Sequence, residues 1–121
     1  MVTTLNWFEI PATDLARAKA FYAQVLDAPI HDDPNRPYAY LPANEGSGGF
    51  GGAIAYGENF VPATTGTTIY LDGGNDLSVP LARVESAGGK VILPKTAIGG
   101  NGNIALFIDT EGNKLGFHSM G

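Results

Sequence analysis

The chain contains no cysteine. Disulfides and thiolate metal sites are therefore excluded, and any metal would have to rest on the two histidines, the carboxylates or main-chain carbonyls. Positive charge is scarce as well: seven Lys and Arg stand against twelve Asp and Glu, giving a net charge of -5 and a pI near 4.7. Nucleic acid, whose phosphates call for clustered Lys and Arg, is not an expected partner. Neutral or cationic small molecules suit such a field better. No apolar run approaches the ~20 residues of a membrane span, so no membrane partner is expected. The N-terminus lacks the basic and apolar segments of a signal peptide, and the expectation is a soluble, cytoplasmic protein.

What is abundant is turn chemistry. With 17 Gly and 8 Pro in 121 residues, short elements and many turns are predicted rather than long helices. The length suits a single domain with one core, able to bury roughly two thirds of the surface of the unfolded chain. From Leu5 to Ile10 the residues alternate, Phe8 and Ile10 on one face, Leu5, Trp7 and Glu9 on the other. Pro11 is expected to end this strand. Asp14 is placed as the N-cap of a helix whose stripe is Leu15, Ala18, Phe21, Tyr22, Val25 and Leu26, and Pro29 stops the helix near Asp27 and Ala28. The stripe predicts packing on the face of Phe8 and Ile10.

The polar run from His31 to Pro37 reads as a loop, with His31 exposed. Tyr38 to Pro42 reads as a strand with Tyr38 and Tyr40 on one face. A Gly-rich hairpin, Glu45 to Gly49, leads to a strand from Gly52 to Tyr56, where Ala53 and Ala55 oppose Ile54 and Tyr56. Residues 58–66, without regular pattern, connect two halves. The opening design then returns. Thr67 to Leu71 forms a strand with Thr68 and Tyr70 on one face, and Asp76 followed by Leu77 repeats Asp14 followed by Leu15. Leu77, Leu81 and Val84 make a second stripe, Pro80 places the regular helix from Ser78, and Gly88 with Gly89 ends it. Strands at 91–94, 103–109 and 114–120 complete the half, with a tight turn at Thr110 to Asn113. The fold class is therefore α+β, as one domain of two similar units, about 4–57 and 67–120, with helices on one side of each sheet. The uncovered faces predict a cavity lined by Trp7, Glu9, Tyr70 and His118.

Three segments carry a resemblance: IPATDLARAKAFY near the start, NDLSVPLARVESAGGKV in the middle and DTEGNKLGFHS at the end. In order and spacing the chain resembles the vicinal oxygen chelate superfamily, which includes glyoxalase I, extradiol dioxygenases, fosfomycin resistance proteins and bleomycin resistance proteins. The resemblance implies paired βαβββ units forming a cupped mixed sheet, and a homodimer in which both chains complete the cavities. It also implies a divalent cation on side chains of the first, middle and last strands. Matched onto this sequence, those positions fall on Trp7, near Gly51 to Ile54, near Thr68, and on Gly116, none of them a usual side-chain ligand. The usual metal site is thus expected to be missing and no cofactor is assigned. A displaced pair of ligands, Glu9 and His118, is the alternative.

Glu9 beside Trp7 is the candidate general base for proton abstraction next to a carbonyl, and His118 a proton shuttle or polar anchor. The plainer alternatives are a solvated or Lys/Arg-paired Glu9 and a hydrogen-bonded structural His118. Trp7, Tyr38, Tyr40, Tyr56, Thr68, Tyr70 and Phe107 are the candidate ligand lining, with core and dimer filling as the alternative for the aromatics. Gly99, Gly100 and Gly102 precede a strand rather than a helix, so they read as a hairpin turn and a lip over the cavity, not a phosphate loop. The functional expectation is metal-independent binding of a small aromatic or cationic organic molecule, as by sequestration. The alternatives are a lyase, isomerase or dioxygenase, metal-free with Glu9 as base or with a rebuilt metal site, and a scaffold whose cavity is filled by side chains.

Overall fold

A computed structural model describes residues 4–43 and 51–121. The element order is β1 (Trp7–Ala12), α1 (Leu15–Leu26), β2 (His31–Asp32), β3 (Tyr38–Tyr40), β4 (Gly51–Tyr56), β5 (Tyr70–Asp72), α2 (Ser78–Leu81), β6 (Lys90–Ala97), β7 (Asn103–Ile108) and β8 (Lys114–Ser119). Two four-stranded sheets result, ordered β1-β4-β3-β2 and β5-β8-β7-β6. In each, the first strand runs parallel to the fourth, and the other pairings are antiparallel. The two halves are thus the same βαβββ unit used twice. The expected Gly-rich hairpin at 45–49 lies outside the described residues. Among the described residues no helix is long and apolar enough to cross a membrane.

Several boundaries differ from the sequence pattern for local physical reasons. Pro11 does not end β1, which continues to Ala12. As the edge strand of its sheet β1 has backbone donors with no neighbour to serve, and the Pro11 carbonyl accepts instead from Asn113 Nδ2 at 2.7 Å. Pro94 likewise sits inside β6, an edge strand with register irregularities between Val91 and Thr96. His31 and Asp32 form a short edge strand, not a loop. Both are exposed, so their pairing with Tyr40 and Ala39 left no apolar alternation to read. β5 begins at Tyr70 rather than Thr67, which moves Thr68 into the connection.

Helix α1 is capped as its sequence dictates: the Asp14 carboxylate accepts from the Arg17 N–H at 3.1 Å. Lacking a glycine, its other end is closed by Asp27 in the left-handed conformation, φ 52°. Helix α2 starts at Ser78, whose N–H donates to Asp76 Oδ1 at 2.9 Å. The core is single and shared. Ile10, Ala12, Phe21, Tyr22, Val25 and Ile54 of the first unit pack with Leu71, Leu77, Val84, Ala105, Phe107, Leu115 and Phe117 of the second. The helix-covered faces of both sheets therefore point inward, and the opposite faces are left for function.

Candidate functional site

On the outer face of the first sheet, Ala53 and Ala55 are fully buried beneath Tyr38, Tyr40 and Phe60. Small residues on the central strand give the rings of the neighbouring strand room to lie over it. The phenol of Tyr38 is the hub: it accepts from the Trp7 indole N–H at 2.8 Å and donates to Glu9 Oε2 at 2.7 Å. Tyr40 meets Trp7 and Tyr38 edge-on, with ring centroids 6.3 and 5.5 Å away. The Arg36 guanidinium stands 3.8 Å over the Tyr38 ring, a cation–π contact. Tyr40 donates to Asp33 Oδ2 at 2.5 Å, and this bond, helped by the Asn35 N–H and by Arg36, holds the Asp33 carboxyl below its usual range. Burial, with the bond to Glu9, pushes the Tyr38 phenol up, so it stays protonated as a donor.

Trp7, Glu9, Tyr38 and Tyr40 are thus brought together on one face of the first sheet, whereas Tyr70 and His118, expected beside Trp7 and Glu9, are on the other sheet. Trp7 is 47% exposed, with its ring packed over Gly51. Arg36 and Asp33 went unrecognised because they sit in the turn before β3, where no periodicity marks them. Their closeness in sequence to Tyr38 was the one available signal.

The other five candidates are placed elsewhere. Phe107 is a correction: it is fully buried in the core, stacked on Phe117 at 5.1 Å and beside Phe21 at 6.0 Å, because its strand parity is that of Ala105. Tyr56 is a second correction, since alternation along β4 gives it the side of Gly52 and Ile54, and it ends half exposed away from Ala53 and Ala55. Thr68 is half-buried in the connection before β5. Tyr70 and His118 lie on the second sheet. The His118 Nε2 is 2.6 Å from the Asn101 carbonyl, so that nitrogen donates and ties the strand to the Gly99–Asn101 turn. Glu9 and His118 are engaged with different partners on different sheets, which does not make the displaced metal pair.

The positions the resemblance assigns to metal ligands do not fit an ion. Trp7 faces Gly51 across β1 and β4, and Tyr70 faces Gly116 across β5 and β8. In both units an aromatic ring lies over the glycine: a Cβ at Gly51 would come within 2.9 Å of the Trp7 ring, and one at Gly116 within 2.5 Å of the Tyr70 ring. Indole N–H and glycine offer no lone pair of the required kind. Among the described residues no group of three or more His, Asp or Glu is placed to hold a metal.

Between the sheets, where the connection passes β1 and the start of β8, lies a cleft of about 210 Å³. Glu9, Pro11, Val61, Thr67, Ile69 and Lys114 are among its walls.

Two βαβββ units around one core, with outer faces carrying an aromatic and carboxylate cluster, define a paired-unit cup protein. The sequence model of the Glyoxalase/Bleomycin resistance protein/Dioxygenase superfamily matches residues 4–117, and the chain belongs to that superfamily. Solved structures agree on the fold. A glyoxalase/bleomycin resistance protein from Albidiferax ferrireducens T118 superposes with a TM-score of 0.77 at 17% identity, over 95% of this chain and 97% of that one. The fosfomycin resistance protein FosX from Mesorhizobium loti gives 0.66 at 19% identity, over 98% and 93%. A glyoxalase-related enzyme from Fulvimarina pelagi gives 0.69 at 17% identity, over 98% and 88%. Comparison with curated proteins finds no match.

Proposed function

We propose that this protein binds a small aromatic or cationic organic molecule without a metal, on the outer faces of its sheets, and acts by holding that molecule. The observation that carries this reading is the Trp7–Tyr38–Glu9 relay with its half-exposed indole. It provides a flat aromatic surface and a carboxylate fixed beside it, the two elements that recognise an aromatic or cationic group. The aromatic-over-glycine pairs at the expected metal positions support the metal-free part. Glu9 is exposed and already engaged by Tyr38, which favours holding a ligand over removing its proton.

The working form in this proposal is a homodimer. Trp7 and Tyr70, 47% and 41% exposed, leave apolar surface on both outer faces that a second copy would cover while closing the cup. The molar mass by light scattering tests this, and a monomer at micromolar concentration would remove it.

Trp7 is the single tryptophan of the chain, so intrinsic fluorescence reports on the site directly. Titration with a panel of aromatic amines and neutral aromatics should give saturable changes that EDTA leaves unaltered, and calorimetry should show the same binding weakened at least ten-fold in Trp7→Ala. No saturable response across the panel, or one that needs an added divalent ion, would sink the proposal.

A further inference from the structure

The direction of the relay decides what Glu9 can accept. An indole N–H only donates, and a phenol has a single proton. Since Tyr38 accepts from Trp7, its proton must point at Glu9 Oε2, which takes one of that oxygen's two lone pairs and fixes the plane of the carboxylate. Among the described residues Glu9 Oε1 takes no side-chain hydrogen bond, and this acidic oxygen suits a donor with positive charge. Glu9 also forms one wall of the cleft at the seam between the units.

The same cleft carries one cation. Lys114 begins β8 with its backbone N–H on the Ala63 carbonyl at 3.2 Å. By alternation with buried Leu115 and Phe117 its side chain belongs to the outer face. The ion pairs among the described residues are Arg17 with Glu111, Lys19 with Asp32, Arg36 with Asp33 and Lys95 with Asp76. Glu9 and Lys114 therefore flank the cleft without neutralising each other. Apolar Pro11, Val61 and Ile69 lie among the walls. At about 210 Å³ the cleft is smaller than the ~300 Å³ at which drug-sized sites begin, so it suits a compact ligand.

Resting on the small-molecule reading above, we infer that the ligand is a compact zwitterion, an amino-carboxylate. Its ammonium donates to Glu9 Oε1, its carboxylate meets Lys114, and its apolar body lies between them. Tyr38 is a positioning residue: it orients Glu9 and touches no ligand atom itself.

The test is isothermal titration calorimetry of the full chain with two zwitterions, L-phenylalanine and 4-(aminomethyl)benzoate, beside the single-charge relatives benzylamine and benzoate. At least one zwitterion should bind ten-fold or more tighter than both relatives. Lys114→Gln should erase that advantage by weakening the zwitterion and benzoate, and should not weaken benzylamine, which loses a like charge from the same cleft. Tyr38→Phe should weaken benzylamine and the zwitterion by a similar factor of several-fold and leave benzoate as it was, a pattern that general loosening of the fold would not give. Thermal melts of both variants certify folding. If benzylamine binds and neither zwitterion binds better, the inference is overturned while the reading of an aromatic or cationic ligand stands. If none of the four binds, both fall.

Discussion

The ring of Tyr70 lies over Gly116, its register partner on β8, and fills the space a side chain there would need. A Cβ at Gly116 would also come within 2.5 Å of the Ala105 carbonyl oxygen, which is backbone and cannot swing aside. Gly116→Ala should therefore destabilise the protein by about 1–3 kcal/mol, toward the upper end, measured by urea unfolding. Gly116→Glu, which places a carboxylate at the position the superfamily resemblance assigns to a metal ligand, should unfold the second sheet rather than create a metal site. Tight divalent binding by a folded Gly116→Glu protein would contradict this.

A second relationship ties the units together. The Glu111 carboxylate accepts from the backbone N–H groups of Thr13 and Asp14 at 2.9 Å, and from Arg17 Nε at 2.8 Å. Burial alone would raise its pKa, but Arg17 and the backbone donors outweigh it and bring the group from 4.5 down to about 2. A depressed carboxyl contributes stability that is present above its unfolded value and lost as pH falls through the folded one. Because Arg17 is half exposed and solvent screens the pair, that contribution should be about 1–2 kcal/mol at neutral pH and fade between pH 4.5 and 2. Glu111→Gln should consequently be much less stable than wild type at pH 7, and the gap should shrink by more than half at pH 3. A gap independent of pH would refute the assignment.

Tyr22 donates to Asp109 Oδ2 at 2.6 Å inside the core. Burial, then the Asp109 charge, raises its phenol well above the ordinary value of 10.0. Tyr22→Phe should cost about 1–2 kcal/mol at pH 7, although Asn113 continues to serve the carboxylate. A group whose pKa is raised on folding gives stability below its unfolded value and loses it above, so wild type should weaken above pH 10 more steeply than Tyr22→Phe. Absorbance titration of the native protein should be the same for both, while in denaturant the variant should lack one tyrosine.

The two displaced aromatics separate core from site. Phe107→Ala should cost about 3–5 kcal/mol, since it opens a cavity between Phe21 and Phe117. Tyr56→Ala, at a half-exposed strand end, should stay within about 0.5 kcal/mol of wild type and leave the Trp7 fluorescence response to aromatic amines intact. A loss of that response in Tyr56→Ala would return Tyr56 to the site.

Much of this architecture was legible before any coordinates, because it rests on local rules. The alternation through Phe8 and Ile10, the Asp14 cap, the stripe of α1 and the repeat at Asp76 and Leu77 each depend on neighbours in the chain, and together they specify two like units and one α+β domain. The shared face of Trp7 and Glu9 follows from the same alternation. What only the tertiary structure decided depends on partners far apart in sequence. Phe107 went to the core because of its parity against β8 and its contact with Phe21 on a helix of the other unit. Pro11 stayed in its strand because β1 is an edge, which sheet order alone determines. The Trp7–Tyr38–Glu9 relay joins residues about thirty positions apart, and Lys114 reaches the Glu9 cleft only because the units share a core. Periodicity specifies which way a side chain points; it takes the packed chain to say what stands opposite.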